Sequence, residues 1–114
     1  MTTYNQGDVI LIPFPFTDFS TLKQRPAVIF SSSSFNDSHP DVIVMAITSQ
    51  IPEDIPEGDY LLNNEENLSA GLPKPSLIKT AKIVTINKIL VRKKLGNLSI
   101  NTVDRLKAIF NKIL

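Results

Sequence analysis

The sequence predicts a mainly β domain: a small, strongly bent antiparallel sheet or barrel of about six short strands, followed by one amphipathic helix at the C-terminus. Two observations predict this class. Through most of the chain the apolar segments are short and are separated by Pro, Gly, Asn and Ser, as in strands joined by loops. In the last segment the apolar spacing changes to that of a helix. The length of 114 residues predicts a single domain covering residues 1–114.

The strand candidates differ in how they are expected to lie in the sheet. Pro13 and Pro15 interrupt the first one or place it at a sheet edge, because proline cannot donate to the ladder. The unbroken apolar run at residues 42–47 predicts a strand buried on both faces. The serines at 31–34 predict a loop. The predicted strands cover residues 8–16, 26–30, 41–48, 60–62, 76–78, 82–86 and 89–91.

The last segment predicts an amphipathic helix. Ser99 is the expected N-cap, Gly96 the preceding breaker, and Lys112 lies in the final turn, where the helix dipole favours a cation. The barrel is expected over about residues 6–95 and the helix over about 99–114. One helical face carries Val103, Leu106, Phe110, Ile113 and Leu114.

Composition excludes several classes of site. The chain has no cysteine, which excludes disulfides, Cys-ligated zinc, iron–sulfur clusters and thiol nucleophiles. His39 is the only histidine, which excludes paired-histidine metal sites. No cofactor and no metal site are therefore expected. The longest apolar run is far shorter than the ~20 residues that cross a bilayer, and the first residues do not resemble a signal peptide, so we expect a cytoplasmic protein that does not contact membranes.

Charge is segregated along the chain although the formal net charge is only +1. Residues 26–73 contain eight acidic residues and no Lys or Arg, whereas residues 74–103 contain seven basic residues and no acid. Such asymmetry is found in proteins that face a polyanion, and also in sheets whose solvated faces happen to differ in sign. Both interpretations stay open on charge alone.

Three local motifs carry the functional signal. The first is a Gly7-Asp8 strand start followed by Arg25-Pro26. The second is Thr48-Ser49-Gln50, at the exit of the buried strand. The third comprises Ser76-Leu77-Ile78 and then Lys82-Ile83-Val84-Thr85-Ile86. Their ordered combination resembles the MazF/PemK-type toxins of bacterial type II toxin–antitoxin systems over nearly the whole chain.

The resemblance implies a fold, an activity and partners. The implied fold is an SH3-like barrel with a terminal helix. Proteins of this type form homodimers and act as metal-independent endoribonucleases on single-stranded RNA, and a cognate antitoxin blocks the RNA groove. The family's catalytic Arg and Thr match Arg25 and Thr48.

Metal-independent RNA cleavage most directly uses the neighbouring 2′-hydroxyl as nucleophile, which leaves a 2′,3′-cyclic phosphate. The planar fork of Arg25 suits two phosphate oxygens, and the Thr48 hydroxyl suits a third contact. Arginine almost never gives up its proton in proteins, so the general base stays open. His39 is the only ordinary candidate for proton transfer near neutral pH, and its Asp37-Ser38-His39-Pro40 setting also fits a plain exposed loop.

Further residues are expected to bind RNA. Lys82 is preferred to Lys79 because relatives often carry a polar side chain at the matching place, and Ala81 departs from relatives that carry an acid there. The loop at residues 13–24 is expected to cover the groove, with Phe16 or Phe19 either stacking on a base or anchored in the core. The expected RNA-binding residues are Thr17, Lys23, Gln24, Ser49, Gln50, Ser76 and Lys82.

Two other functions remain as alternatives. A toxin of the CcdB type shares the fold, binds DNA gyrase and is not a nuclease, but the motifs around Arg25 and Thr48 argue against it. A catalytically silent relative would retain dimerisation and antitoxin binding.

Overall fold

A computed structural model describes residues 3–13 and 24–114. The mainly β architecture with a C-terminal helix is confirmed. The strands are β1 (Asp8–Pro13), β2 (Gln24–Ile29), β3 (Asp41–Thr48), β4 (Asp59–Leu61), β5 (Leu77–Asn87) and β6 (Lys93–Asn97). The helices are α1 (Ser33–Ser38), α2 (Asn64–Ser69) and α3 (Ile100–Lys112). No helix among the described residues is long and apolar enough to cross a membrane.

The six strands form one antiparallel sheet in the order β4-β5-β3-β2-β1-β6. Its two ends, β4 and β6, do not pair with each other in the described part of the chain. The sheet is therefore open, which refines the predicted barrel. β3 lies inside the sheet and ends at Thr48, so the segment after Thr48 leaves from the same sheet end at which β2 begins.

Both faces of the sheet bury apolar side chains, and β3 contributes to both. Val42 and Val44 belong to one buried cluster, whereas Met45 and Ile47 belong to the other. This confirms the prediction from the apolar run, since successive side chains of a strand point to opposite faces. β3 is thereby held from both sides, which gives the residues at its end a rigid base.

Helix α3 covers the face that contains Met45 and Ile47. Its Val103 and Leu106 are buried in the same cluster, and Phe110 meets Phe30 edge to face at a centroid distance of 5.7 Å. The predicted cap is confirmed, because the Ser99 hydroxyl accepts a hydrogen bond from the Thr102 N–H.

The late strands differ from the prediction. Residues 77–78 and 82–86 belong to one continuous strand, β5, which includes the residues between them, and Ser76 directly precedes it. The predicted strand at 89–91 is wrong: Lys88–Leu90 form one turn of 3₁₀ helix, and the last strand is β6. The Asn87 side chain caps this turn by accepting from the Ile89 N–H, which stabilises a turn where apolar content alone favours a strand.

Two short helices were not predicted. The serine run does not form a plain loop, since the Ser32 hydroxyl caps α1 by accepting from the Phe35 N–H. α2 begins at a reciprocal capping box between Asn63 and Glu66. A helix of six residues has too few buried positions for the helical spacing of apolar residues to be recognised in the sequence.

Gly96 is not a helix breaker but part of β6. A Cβ atom at this position would lie 2.3 Å from the Ser69 carbonyl oxygen, so glycine is needed for α2 to pack against the strand.

The Gly7-Asp8 motif also has a structural role. The buried Asp8 carboxylate accepts from the Asn5 N–H at 2.8 Å and pairs with Lys94 at 3.0 Å, which ties β1 to β6.

Candidate active site

A cleft of about 320 Å³ lies at the sheet end where β2 begins and β3 ends. Three cationic side chains border it, and no acidic residue is among the described residues that line it. The cleft therefore attracts anions. Its lining residues are Arg25, Pro26, Ala46, Ile47, Thr48, Gln50, Lys79 and Lys82.

The strand register brings Arg25 to Thr48. Ala27 on β2 lies opposite Ala46 on β3, and the two strands run antiparallel. Continuing that register by two residues places Arg25 opposite Thr48, with both side chains on the same face of the sheet. Residues that are distant in the sequence thus border one cleft because of a single strand pairing.

The Thr48 hydroxyl is oriented by its own chain. Its oxygen accepts a hydrogen bond from the Gln50 N–H at 3.1 Å. A hydroxyl that accepts such a bond still has its hydrogen to donate. Thr48 is therefore a held donor at the edge of the cleft, and the bond that holds it comes from the backbone of residue 50 rather than from the glutamine side chain.

A bulge in β5 brings two lysines to the same cleft. Met45 pairs with Ile83, but the next residue of β3, Ala46, pairs with Lys79. Residues 80–82 are consequently extra on β5. In a regular strand Lys79 and Lys82 would point to opposite faces, since their separation is odd. The bulge removes this alternation, and both lysines border the cleft.

Lys79, for which the sequence favours the groove less than it does for Lys82, also lines the cleft. It is paired directly across the sheet with Asp59 on β4, and its Nζ lies 3.1 Å from the Asp59 carboxylate. The Asp59 side chain is only 8% exposed. The sequence shows both charges but not that they face each other.

A second cleft, of about 520 Å³, continues from the first. We call it the side cleft. It shares Thr48, Gln50 and Lys79 with the first cleft and adds Ile51, Pro52 and Pro56 from the loop that follows β3. No motif in the sequence marks these apolar residues as part of a site. Their signal would have been their position directly after the Thr48-Ser49-Gln50 motif.

The structure does not gather every expected RNA-binding residue into the cleft lining. Gln24 and Ser49 are exposed neighbours of Arg25 and Thr48, but they do not border either cleft. Ser76 is buried and its hydroxyl donates to the Lys74 carbonyl at 2.8 Å.

The expectations for Thr17, Lys23, Phe16 and Phe19 lie outside the described residues, as does most of the predicted covering loop. Gln50 and Lys82 do border the first cleft.

His39 does not border the clefts. It follows α1 and stacks on Phe35 with ring centroids 4.0 Å apart. It precedes β3, whereas Thr48 ends it, and an eight-residue strand rising about 3.3 Å per residue separates the two ends by more than about 20 Å.

The seven bases of residues 74–103 do not form one patch. Lys79 and Lys82 border the cleft, but Lys94 pairs with Asp8 and Lys88 donates to the Asn36 carbonyl.

Among residues 3–13 and 24–114, no group of three or more His, Asp or Glu side chains is placed to hold a metal ion.

A polar cluster with shifted pKa values lies away from the clefts, between α2, β4 and α3. Burial alone raises the pKa of Glu66, but hydrogen bonds from the Asn63 N–H and from the hydroxyls of Thr102 and Tyr60 outweigh it and lower the pKa. Burial raises the pKa of Tyr60, even though Arg105 donates to its hydroxyl. These groups bind one another, which is the pattern of a structural network.

Comparison with known proteins identifies the family. Residues 5–114 match the family described as the PemK-like, MazF-like toxin of type II toxin–antitoxin systems. The chain belongs to this family. The match includes the strands that carry Arg25, Thr48 and Lys82. No protein of curated function matches the sequence significantly.

Solved structures of MazF-like toxins share the fold at low sequence identity. An endoribonuclease from a mycobacterial species superposes with a TM-score of 0.76 at 15% identity, over 98% of this chain and 91% of that chain. MazF from Deinococcus radiodurans gives a TM-score of 0.76 at 11% identity, over 99% and 97% of the two chains. A mycobacterial endoribonuclease in complex with its cognate antitoxin gives 0.74 at 15% identity, over 95% and 91%.

Proposed function

We propose that this MazF-like protein is the toxin of a toxin–antitoxin pair and a metal-independent endoribonuclease that cleaves single-stranded RNA. The observation that carries the proposal is the convergence of Arg25 and Thr48, from neighbouring strands, on one cationic cleft. Family membership and likeness to mycobacterial endoribonucleases support it. Gln50 and Lys82 border the same cleft and are proposed to bind RNA, together with Gln24 and Ser49, which are exposed sequence neighbours of Arg25 and Thr48 outside the cleft lining.

The chemistry follows from the groups at the cleft. The ribose 2′-oxygen attacks phosphorus, the bond from phosphorus to the 5′-oxygen breaks, and the products are a 2′,3′-cyclic phosphate and a 5′-hydroxyl. The 2′-hydroxyl proton leaves through a base of the solvated site, and the 5′-oxygen takes up a proton.

Two side chains stabilise the transition state. The Arg25 guanidinium donates to two phosphate oxygens at once, as its planar fork allows. Thr48 donates its hydroxyl hydrogen while its oxygen is held by the Gln50 N–H. A preorganised donor of this kind contributes about 3–4 kcal/mol to barrier lowering.

Cleavage by the purified protein tests the proposal. Single-stranded RNA is incubated with the protein in EDTA, and the product ends are determined by mass. We expect cyclic phosphate and 5′-hydroxyl ends, and we expect Arg25→Ala and Thr48→Ala each to lower the cleavage rate at least about 100-fold. Lys93→Ala is the matched control. Lys93 is an exposed residue of β6, which lies at the other edge of the sheet from β4, and it lines neither cleft.

Loss of cleavage in EDTA, or full cleavage by both variants, would contradict the assignment. A protein that binds an antitoxin but leaves RNA intact would instead be a silent relative.

The proposed assembly is a cytoplasmic homodimer whose groove an antitoxin occupies. One subunit is small, with principal extents of 38 × 33 × 29 Å, and a two-fold axis would place two Arg25–Thr48 pairs along a longer groove. A mass in solution of roughly twice the 12.7 kDa chain mass is expected. Antitoxin and RNA should compete, so that more antitoxin is needed as the RNA concentration rises. A monomer with full activity, or non-competitive inhibition, contradicts this assembly.

A further inference from the structure

We propose that the side cleft binds one nucleobase of the RNA and prefers the keto bases guanine and uracil, with Lys79 donating to the base. This rests on the proposed ribonuclease function and names the specificity of the same site. The side cleft opens from the cationic cleft and shares Thr48, Gln50 and Lys79 with it. A nucleotide next to the scissile phosphate is therefore within reach of it.

The lining of the side cleft matches a flat ring with a polar edge. Ile51, Pro52 and Pro56 form its apolar side, and all three are exposed. Gln50 and Lys79 supply the polar side. Pockets that are mostly apolar with a few placed polar groups are typical for small rings, because the apolar wall covers the faces and the polar groups bind the edge.

Charge favours a base over a phosphate in this position. Asp59 lies 3.1 Å from the Lys79 ammonium and compensates its charge. The loop after β3 also carries the exposed acidic residues Glu53, Asp54 and Glu57. A phosphate would therefore gain little attraction from Lys79 in the side cleft, whereas Arg25 and Lys82 attract it in the first cleft.

The donor chemistry of Lys79 gives the keto preference. An ammonium group has three N–H donors and no acceptor. One donor binds Asp59, and the others are available to a ligand. The position that discriminates is O6 of guanine and O4 of uracil, which accept, whereas adenine and cytosine carry an amino donor at the equivalent position; N7 accepts in both purines and does not discriminate between them. With adenine or cytosine, the Lys79 ammonium donor would face the amino donor of the base, and no hydrogen bond would form.

Asp59 is a positioning residue for Lys79. The two residues are direct partners across β4 and β5, and the Asp59 side chain is almost fully buried. A carboxylate fixed on a strand limits where the flexible lysine side chain can place its ammonium. Without it, the same lysine becomes an unrestrained charge that attracts phosphates of any sequence.

The experiment is cleavage of a randomised single-stranded RNA pool, with sequencing of the cut ends. The wild-type protein should show guanine or uracil enriched about tenfold over adenine and cytosine at one position beside the cut. Lys79→Met should bring this ratio close to one at that position and leave the preferences at other positions in place. Lys79→Leu, which likewise removes the donor, is the second variant, should the methionine variant fail to fold.

Asp59→Asn should also lower the keto ratio, and Asp59→Glu should restore part of it, which a purely structural role would not produce. Ile51→Ser should lower cleavage of all sequences roughly tenfold while keeping the ratio, because stacking is tolerant of sequence. Lys93→Met, on β6, is the control and should match the wild type.

The outcomes separate the two claims. If the wild-type protein cleaves no RNA, the proposed function fails. If it cleaves but shows no keto enrichment beside the cut, or if the enrichment survives in both Lys79 variants, the function stands and the base pocket is overturned.

Discussion

Thr102 on α3 donates its hydroxyl hydrogen to the carboxylate of Glu66 on α2 across 2.6 Å. Tyr60 on β4 donates to the same carboxylate at 2.8 Å, and the Asn63 N–H donates at 2.9 Å. One buried carboxylate thus joins two helices to the edge strand β4. Asp59, which holds Lys79 at the cleft, is the neighbour of Tyr60 on that strand.

Replacing Glu66 should destabilise the fold. In Glu66→Gln, an amide NH₂ group replaces one of the oxygens that accept from Tyr60 and Thr102, so buried donors lose their partner. The free energy of unfolding should fall by about 1–3 kcal/mol in denaturant titrations. Glu65→Gln is the matched control, since Glu65 lies in the same helical turn but is exposed, and it should change stability by less than about 0.5 kcal/mol. Equal effects of the two variants would contradict a structural role for Glu66.

The pH dependence of stability should carry the signature of Glu66. Its pKa in the folded protein is lowered from 4.5, so the folded state binds the proton less readily than the unfolded state. Its contribution is therefore complete above about pH 4.5 and is lost as the pH falls through the lowered pKa. Unfolding measured between about pH 7 and pH 3 should show the difference between wild type and Glu66→Gln shrinking below 4.5. A difference that grows toward acid would have the wrong sign.

Gly71 should be the least replaceable of the glycines with positive φ. Gly71 has φ +71° and Gly58 has φ +94°, so alanine is strained at both by roughly 1–2 kcal/mol. At Gly71 the added Cβ would lie 2.1 Å from the Leu95 carbonyl oxygen, closer than the 2.9 Å to the Leu98 carbonyl oxygen at Gly7, whereas at Gly58 the nearest atom is 3.5 Å away. Thermal unfolding should show Gly71→Ala clearly less stable than Gly58→Ala, and the reverse order would refute the close approach of the α2 C-terminus to β6.

Lys82 should contribute to the salt dependence of RNA binding. Each phosphate contact on a single strand adds about −0.7 to the slope of log affinity against log salt concentration. Lys82→Gln should flatten the slope by about that amount on an oligonucleotide that carries a 2′-deoxy sugar at the cut site, so that no cleavage interferes. Lys93→Gln is the control and should keep the wild-type slope. An unchanged slope for Lys82→Gln would show that this lysine makes no phosphate contact.

The sequence alone determined the fold class, the boundaries of β3 and the cap of α3, because each depends on a local signal. The apolar run of β3 required burial on both faces, and Ser99 followed by helical spacing required a helix start. The catalytic roles predicted for Arg25 and Thr48 came from the resemblance to MazF/PemK-type toxins, because an arginine before a proline and a threonine at a strand exit are ordinary strand residues when taken alone.

What those residues face depends on how the strands pair in the folded protein. The pairing of β2 with β3 brings Arg25 to Thr48, and the bulge of β5 places Lys79 and Lys82 at one cleft although their spacing predicts opposite faces. The Asp59–Lys79 pair joins positions twenty residues apart. Strand register and bulges arise from the sum of many side-chain contacts across a sheet, and no single stretch of sequence contains them.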